Sequence, residues 1–184
     1  MVKASRIEPI EQATRRSWKQ WLAFFEDIGA QDLDHAEIAR AVQAELDGVV
    51  DSADWWAQAV TVAYEQQIGR RLPGQRSDGT FQTSVSKATK LGMQELMDAW
   101  VAFAASDPTV TKSIAAEPRV SGSEKRLTWR VKAADGSSIV VTSEPKKNGT
   151  ATIVATQAGL TSHERNLEAK ETWAEVVGRF LVGL

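Results

Sequence analysis

The chain has 184 residues, 42% of them hydrophobic and 25% charged, and a formal net charge of −2. This excludes a disordered chain and leaves room for one sizeable domain or two small ones. Cysteine is absent, which removes thiolate catalysis, thiolate-held zinc and iron–sulfur clusters, and fits a reducing, cytoplasmic setting.

Residues Met1 to Gln12 mix charge with apolar side chains, so no signal peptide is expected there. No apolar run approaches the ~20 residues that span a bilayer, so membrane insertion is not expected. Divided at Gln75, the first part carries 8 basic and 12 acidic side chains and the second 14 and 12. Neither has the basic excess of a nucleic-acid binder.

In chain order, residues 1–16 read as a flexible arm. Ser17 opens a helix, with Gln20 in capping-box spacing and Trp18, Trp21, Leu22, Phe25 and Ile28 at helical period. Asp34 and Glu37 start a second helix, whose apolar stripe is Ile38, Ala41, Val42 and Leu46. A third runs from about Ser52 to Arg70, with Trp55, Ala59, Val62, Ala63 and Gln66 on one face. Helices over 17–71 make a small helical domain. The turn residues Pro73-Gly74 and Asp78-Gly79 mark 72–79 as a linker.

From residue 80 the period changes to two. Phe81, Thr83 and Val85 alternate with polar residues as a strand. A helix is expected from Met93 to Ala105. Asp107 as N-cap and Pro108 at the first helical position begin a shorter one, to about Ala116. Strands over 126–133, 138–144 and 150–158 are joined at Asp135-Gly136 and Asn148-Gly149, which are hairpin signals, giving an antiparallel meander. Thr161 and Glu164 read as a capping box for a long C-terminal helix. The fold class is therefore α+β: an N-terminal three-helix segment, then an antiparallel sheet packed on a long C-terminal helix.

Chemistry-bearing motifs are sparse. His35 and His163 each lack a second histidine at helical ligand spacing, and both read as exposed polar residues. Asp51 with Asp54 and Glu168 with Glu171 suit a helix start and a solvated helix face. No phosphate-cradling glycine loop and no nucleophile elbow occur. No catalytic residue, metal or cofactor is expected. His35 to Glu65 has a helix-turn-helix-like spacing, yet its reading helix would present Asp51, Asp54, Trp55 and Trp56, so nucleic acid is not expected as a partner.

The order of strand, two short helices, meander and long closing helix resembles the helix-grip order of the START/Bet v 1-like (SRPBCC) superfamily. Phe81 to Lys87 followed by Met93 to Trp100, and the closing helix with Trp173, Phe180 and Leu181, resemble its bacterial branch related to the activator of Hsp90 ATPase. The earlier segments Ser17-Trp18-Lys19-Gln20-Trp21, His35 to Ala39 and Trp55-Trp56-Ala57-Gln58 are similar to an uncharacterised helical domain, one of unknown function, often fused ahead of a helix-grip domain.

The resemblance implies that 80–184 is a helix-grip domain whose sheet and closing helix enclose an apolar cavity. Phe103, Trp129, Val131, Ile139, Val141, Ile153, Trp173 and Val177 would be its walls, since alternate strand residues share a face. The expected function is non-enzymatic binding of a small apolar molecule. The alternative is a protein–protein or homodimer interface on the helical domain, through Trp18, Trp21, Trp55 and Trp56; DNA binding is the third. Few residues separate Pro118 from Glu124, so the extra strands usual in the superfamily are not expected there.

Overall fold

A computed structural model describes residues 4–184, with side chains from Ile7 onward. The chain forms two compact units, Met1–Pro73 and Gly74–Leu184.

The first unit contains α1 (Ala4–Thr14), α2 (Trp18–Asp27), α3 (His35–Leu46) and α4 (Ala53–Gln67). Helix α1 replaces the expected flexible arm from Ala4 onward; the first three residues lie outside the described ones. It is held because Ile10 is buried in the unit's core and the Thr14 hydroxyl accepts the Trp21 indole N–H at 3.1 Å. Helices α2 and α3 start where their capping boxes place them, at Ser17/Gln20 and Asp34/Glu37. Each box satisfies backbone donors that a helix start would leave bare.

The core of this unit is aromatic and aliphatic: Trp21, Phe25, Ile38, Val42, Leu46, Val60 and Tyr64 are all within it, with Phe25 stacked on Tyr64 at 4.0 Å. On α4 the face turned inward is Ala57, Val60, Thr61 and Tyr64. Small residues there let α3 approach closely. Of the face expected from the sequence, Ala63 alone is buried, while Trp55, Ala59, Val62 and Gln66 are left at or near the surface.

The second unit contains β1 (Phe81–Ala88), α5 (Met93–Ser106), α6 (Pro108–Ser113), β2 (Arg119–Ser123), β3 (Arg126–Lys132), β4 (Ser138–Pro145), β5 (Ala151–Leu160) and α7 (His163–Val182). Its five strands form one antiparallel sheet in the order β1-β5-β4-β3-β2. Strand β2 lies where no strand was expected. All five of its residues are exposed and one is Gly122, so the segment carries no apolar alternation to read.

Three loops repeat one device. In Asp78-Gly79-Thr80, Asp135-Gly136-Ser137 and Asn148-Gly149-Thr150 the first side chain accepts from the backbone N–H two residues on, and the glycine has φ of +80° to +86°. The first of these belongs to the expected linker. There Gln82 N–H donates to the Gly74 carbonyl and Gln75 bridges to Phe81, so 74–79 is a turn attached to the sheet.

The inner sheet face carries Val85, Trp129, Val131, Ile139, Val141, Ile153 and Ala155, all buried. Helix α7 packs against β1 and β5, and α5 against β3 and β4. Helix α7 begins one residue later than its expected capping box: Ser162 is the N-cap and accepts from Arg165 N–H at 3.2 Å. Asp107 caps α6 as expected. Its carboxylate also takes a bidentate pair from Arg179 of α7, at 2.9–3.1 Å, which ties α6 to the closing helix. The second unit is thus a five-stranded antiparallel sheet packed on a C-terminal helix, an arrangement compatible with the helix-grip order.

Candidate functional site

The expected cavity walls do come together. Trp129, Val131, Ile139, Val141, Ile153, Trp173 and Val177 belong to one buried cluster, with Phe103 packed against it half-buried. The space among them is occupied by Trp100 of α5, which is fully buried. Its ring lies 5.9 Å from Trp129, 6.5 Å from Trp173, 5.6 Å from Phe103 and 5.3 Å from Phe180. The Trp129 and Phe180 rings meet it edge-to-face, which is favourable packing at these separations.

Polar atoms in this core are mostly satisfied. Trp173 Nε1 donates to Gln157 Oε1 at 2.7 Å, and Gln157 Nε2 donates to the Ser137 hydroxyl at 2.8 Å. That hydroxyl donates in turn to Asp135. The indole N–H of Trp100 is buried and has no hydrogen-bond acceptor among the described residues, and nearer the start of α7 His163 Nδ1 and Asn166 Oδ1 are likewise buried without a partner. An unpaired buried donor costs about 1–3 kcal/mol.

The four tryptophans expected at an interaction surface divide. Trp21 is fully buried and Trp18 nearly so, and both rings belong to the core of the first unit. They lie at i and i+3 on α2, with Phe25 at i+7, on the stripe that α2 buries. Trp18 N–H is further fixed by Glu11 of α1 at 2.6 Å. Trp56 is half-buried. Trp55 is 61% exposed, with its ring edge-on to Trp56 at 4.6 Å.

Trp55 and Trp56 open onto a groove of about 310 Å³, completed by Pro9, Ile10, Ala59 and Val62. One wall is α4, the other α1. Among its lining residues Gln66 is the polar side chain. Exposed Asp51 and Asp54 stand at the N-terminal end of α4, beside Trp55 in sequence. An exposed tryptophan on a concave apolar surface is the pattern of an interaction anchor.

Both histidines depart from the expected exposed state. His35 Nδ1 lies 3.0 Å from Glu65 Oε2, and Nε2 lies 2.8 Å from Gln58 Oε1. Glu65 is buried and also faces Arg71 at 3.4 Å. With both ring nitrogens engaged by α4, His35 fastens α3 to α4. His163 stands at the start of α7, its ring 5.7 Å from Phe81, with Nδ1 buried. Of the acidic pairs, Asp51 lines a pocket with Arg15 and Trp56 while Asp54 is exposed, and Glu168 pairs with Arg165 at 3.6 Å on the surface of α7. Among the described residues no group of three or more acidic or histidine side chains is placed to hold a metal ion. None of the described helices is long and apolar enough to cross a membrane.

No protein-family model matches the chain, and no curated protein matches it at a significant level.

Proposed function

We propose that the chain is a non-enzymatic binding protein that docks a segment of a partner protein in the Trp55 groove. The observation that carries this reading is the exposure of Trp55 at the mouth of an apolar groove between α1 and α4. The side chains Trp55, Ala59, Val62 and Gln66 recur every three or four residues, so an amphipathic helix lying along α4 would meet them in sequence. Charge selects among such helices. The residues before Pro73 carry 8 basic and 12 acidic side chains, and Asp51 and Asp54 flank the anchor. The partner segment is therefore apolar on one face and basic at its ends.

Titration of the full chain with synthetic amphipathic peptides, basic-flanked and acidic-flanked, tests this by tryptophan fluorescence. The basic peptides should bind, and Trp55→Ala should weaken them by roughly thirtyfold or more, the effect of losing a ~2 kcal/mol anchor. Binding that is indifferent to Trp55→Ala, or self-association that disappears with it and leaves no peptide binding, would overturn the reading in favour of no site or of a homodimer.

A second reading follows from the helix-grip resemblance: an apolar ligand held between sheet and closing helix. The unpaired Trp100 N–H supports it, since a ligand oxygen there would satisfy a donor that the protein leaves bare. Trp100 and Phe180 would have to swing aside to admit it. A thermal-shift screen with fatty acids and aromatic metabolites should then show stabilisation that Trp100→Phe abolishes; no shift with any of them sinks this reading.

A further inference from the structure

The outer face of the sheet, opposite α5 and α7, carries an unbalanced cluster of charge. Arg119 of β2 stands directly across from Arg130 of β3 in the antiparallel register, and Lys132 lies two residues along on the same face. Side chains so placed are about 5 Å apart at Cβ, and like charges directly opposite one another destabilise a sheet. All three cations are exposed, and no carboxylate lies within ion-pair distance of any of them among the described residues. Elsewhere on the same face the sheet does pair its cation: Arg126 meets Glu144 at 2.9 Å.

The cluster is also concave. Arg119, Arg130 and Lys132 line an open groove of about 610 Å³ with Glu117, Ser138 and Val140. That volume is the size of a small-molecule site. Two guanidinium groups supply planar forks that match the oxygens of a phosphate, and lysine adds a compact third charge. Ser138 supplies a hydroxyl. One carboxylate, Glu117, leaves the groove with a net charge of +2, matching a dianion. The groove has no aromatic lining residue on which a base would stack, which disfavours single-stranded nucleic acid.

We propose that this groove is a binding site for a phosphate-bearing small molecule, with the phosphate held between Arg119, Arg130 and Lys132. Neutralising the two opposed arginines then relieves a repulsion that the free protein carries. The site lies in the second unit and is independent of the Trp55 groove.

Calorimetric titration of the full chain tests it, with inorganic phosphate, pyrophosphate, a short DNA duplex, and phosphatidylcholine vesicles with and without phosphatidic acid as probes. Saturable, salt-sensitive binding of pyrophosphate assigns a soluble ligand; binding confined to phosphatidic acid vesicles assigns a lipid headgroup with the same chemistry. In either case Arg119→Gln and Arg130→Gln should each weaken binding roughly tenfold, the effect of one charge-assisted contact. Glu117→Gln should tighten it several-fold. The double variant R119Q/R130Q should keep or raise the thermal midpoint, which separates lost binding from lost folding. Absence of saturable binding to every probe, binding unchanged in the double variant, or a preference for short duplex DNA over all of them overturns the proposal.

Discussion

Asp107 joins two elements through one carboxylate. Its oxygens accept from the Thr109 and Val110 backbone N–H groups at the start of α6 and from Arg179 on α7. Burial by itself would raise its pKa, but the Val110 N–H, the Arg179 guanidinium and the Thr109 N–H outweigh that and hold it below the usual carboxylate value. The unfolded state therefore takes up the proton first, at about pH 4. The stability this group supplies is present above that value and is lost as pH falls through the lower folded-state pKa. Asp107→Ala should cost about 2–3 kcal/mol at neutral pH, from the lost cap and the lost tie between α6 and Arg179 of α7. In thermal melts the gap between wild type and Asp107→Asn should narrow steadily as pH drops below about 4. Gln157 is a comparable residue inside the core. Its replacement by Ala strands the Trp173 indole N–H and opens a cavity, so chemical denaturation should register a loss of about 2–4 kcal/mol.

At the scale of elements, the turns and helix faces make separable predictions. Gly74 and Gly79 both have φ near +80°, but only Gly74 is crowded: a Cβ there would sit 2.5 Å from Asn166 Nδ2 and 2.8 Å from the Gln82 carbonyl. Nothing lies within 4 Å of the equivalent position at Gly79. Gly79→Ala should cost about 1 kcal/mol, from the left-handed backbone alone. Gly74→Ala should cost at least about 2 kcal/mol, because the turn must also part from the start of α7. Equal effects on the denaturation midpoint would contradict the close approach. On the helices, Trp21→Ala should cost about 3–5 kcal/mol by emptying the core of the first unit. Trp55→Ala should change stability by no more than about 0.5 kcal/mol while weakening peptide binding. The two tryptophans look alike in the sequence, and their contrast separates a packing residue from an anchor.

For the whole molecule, each unit has its own closed hydrophobic cluster. The sheet of the second unit is completed by pairing β1 with β5, about 70 residues apart, as in Val85 against Ala155. A fragment beginning at Gly74 retains both strands, all three helices that contact the sheet or one another, and the turn that leads into β1. Produced alone, residues 74–184 should unfold cooperatively and show a sharp near-ultraviolet tryptophan signal from Trp100, Trp129 and Trp173. A broad transition without that signal would mean that the core needs the rest of the chain. The long-range β1–β5 closure should make its folding slower than that of the helical unit, on the order of milliseconds to seconds.

The amino-acid sequence by itself determined what lies within a few residues. Ser17 with Gln20, Asp34 with Glu37, Asp107 with Pro108, and the Asp-Gly and Asn-Gly loops act through local hydrogen bonds and local backbone angles, so their effects are written beside them. The alternation in β1, β3, β4 and β5 is equally local, because it records which side of each strand meets the core. Tertiary structure decided the rest. Strand β2 exists because β3 offers it an edge, and its own exposed residues carry no apolar signal. The face of α4 that is buried depends on the close fit of Ala57, Val60 and Tyr64 among the other helices, which leaves Trp55 outside despite its size. Arg130 and Lys132 share a strand face, but Arg119 joins them only through the antiparallel register of β2 and β3. Both candidate binding surfaces therefore belong to the folded molecule: the Trp55 groove needs α1 to reach α4, and the basic groove needs the register of neighbouring strands.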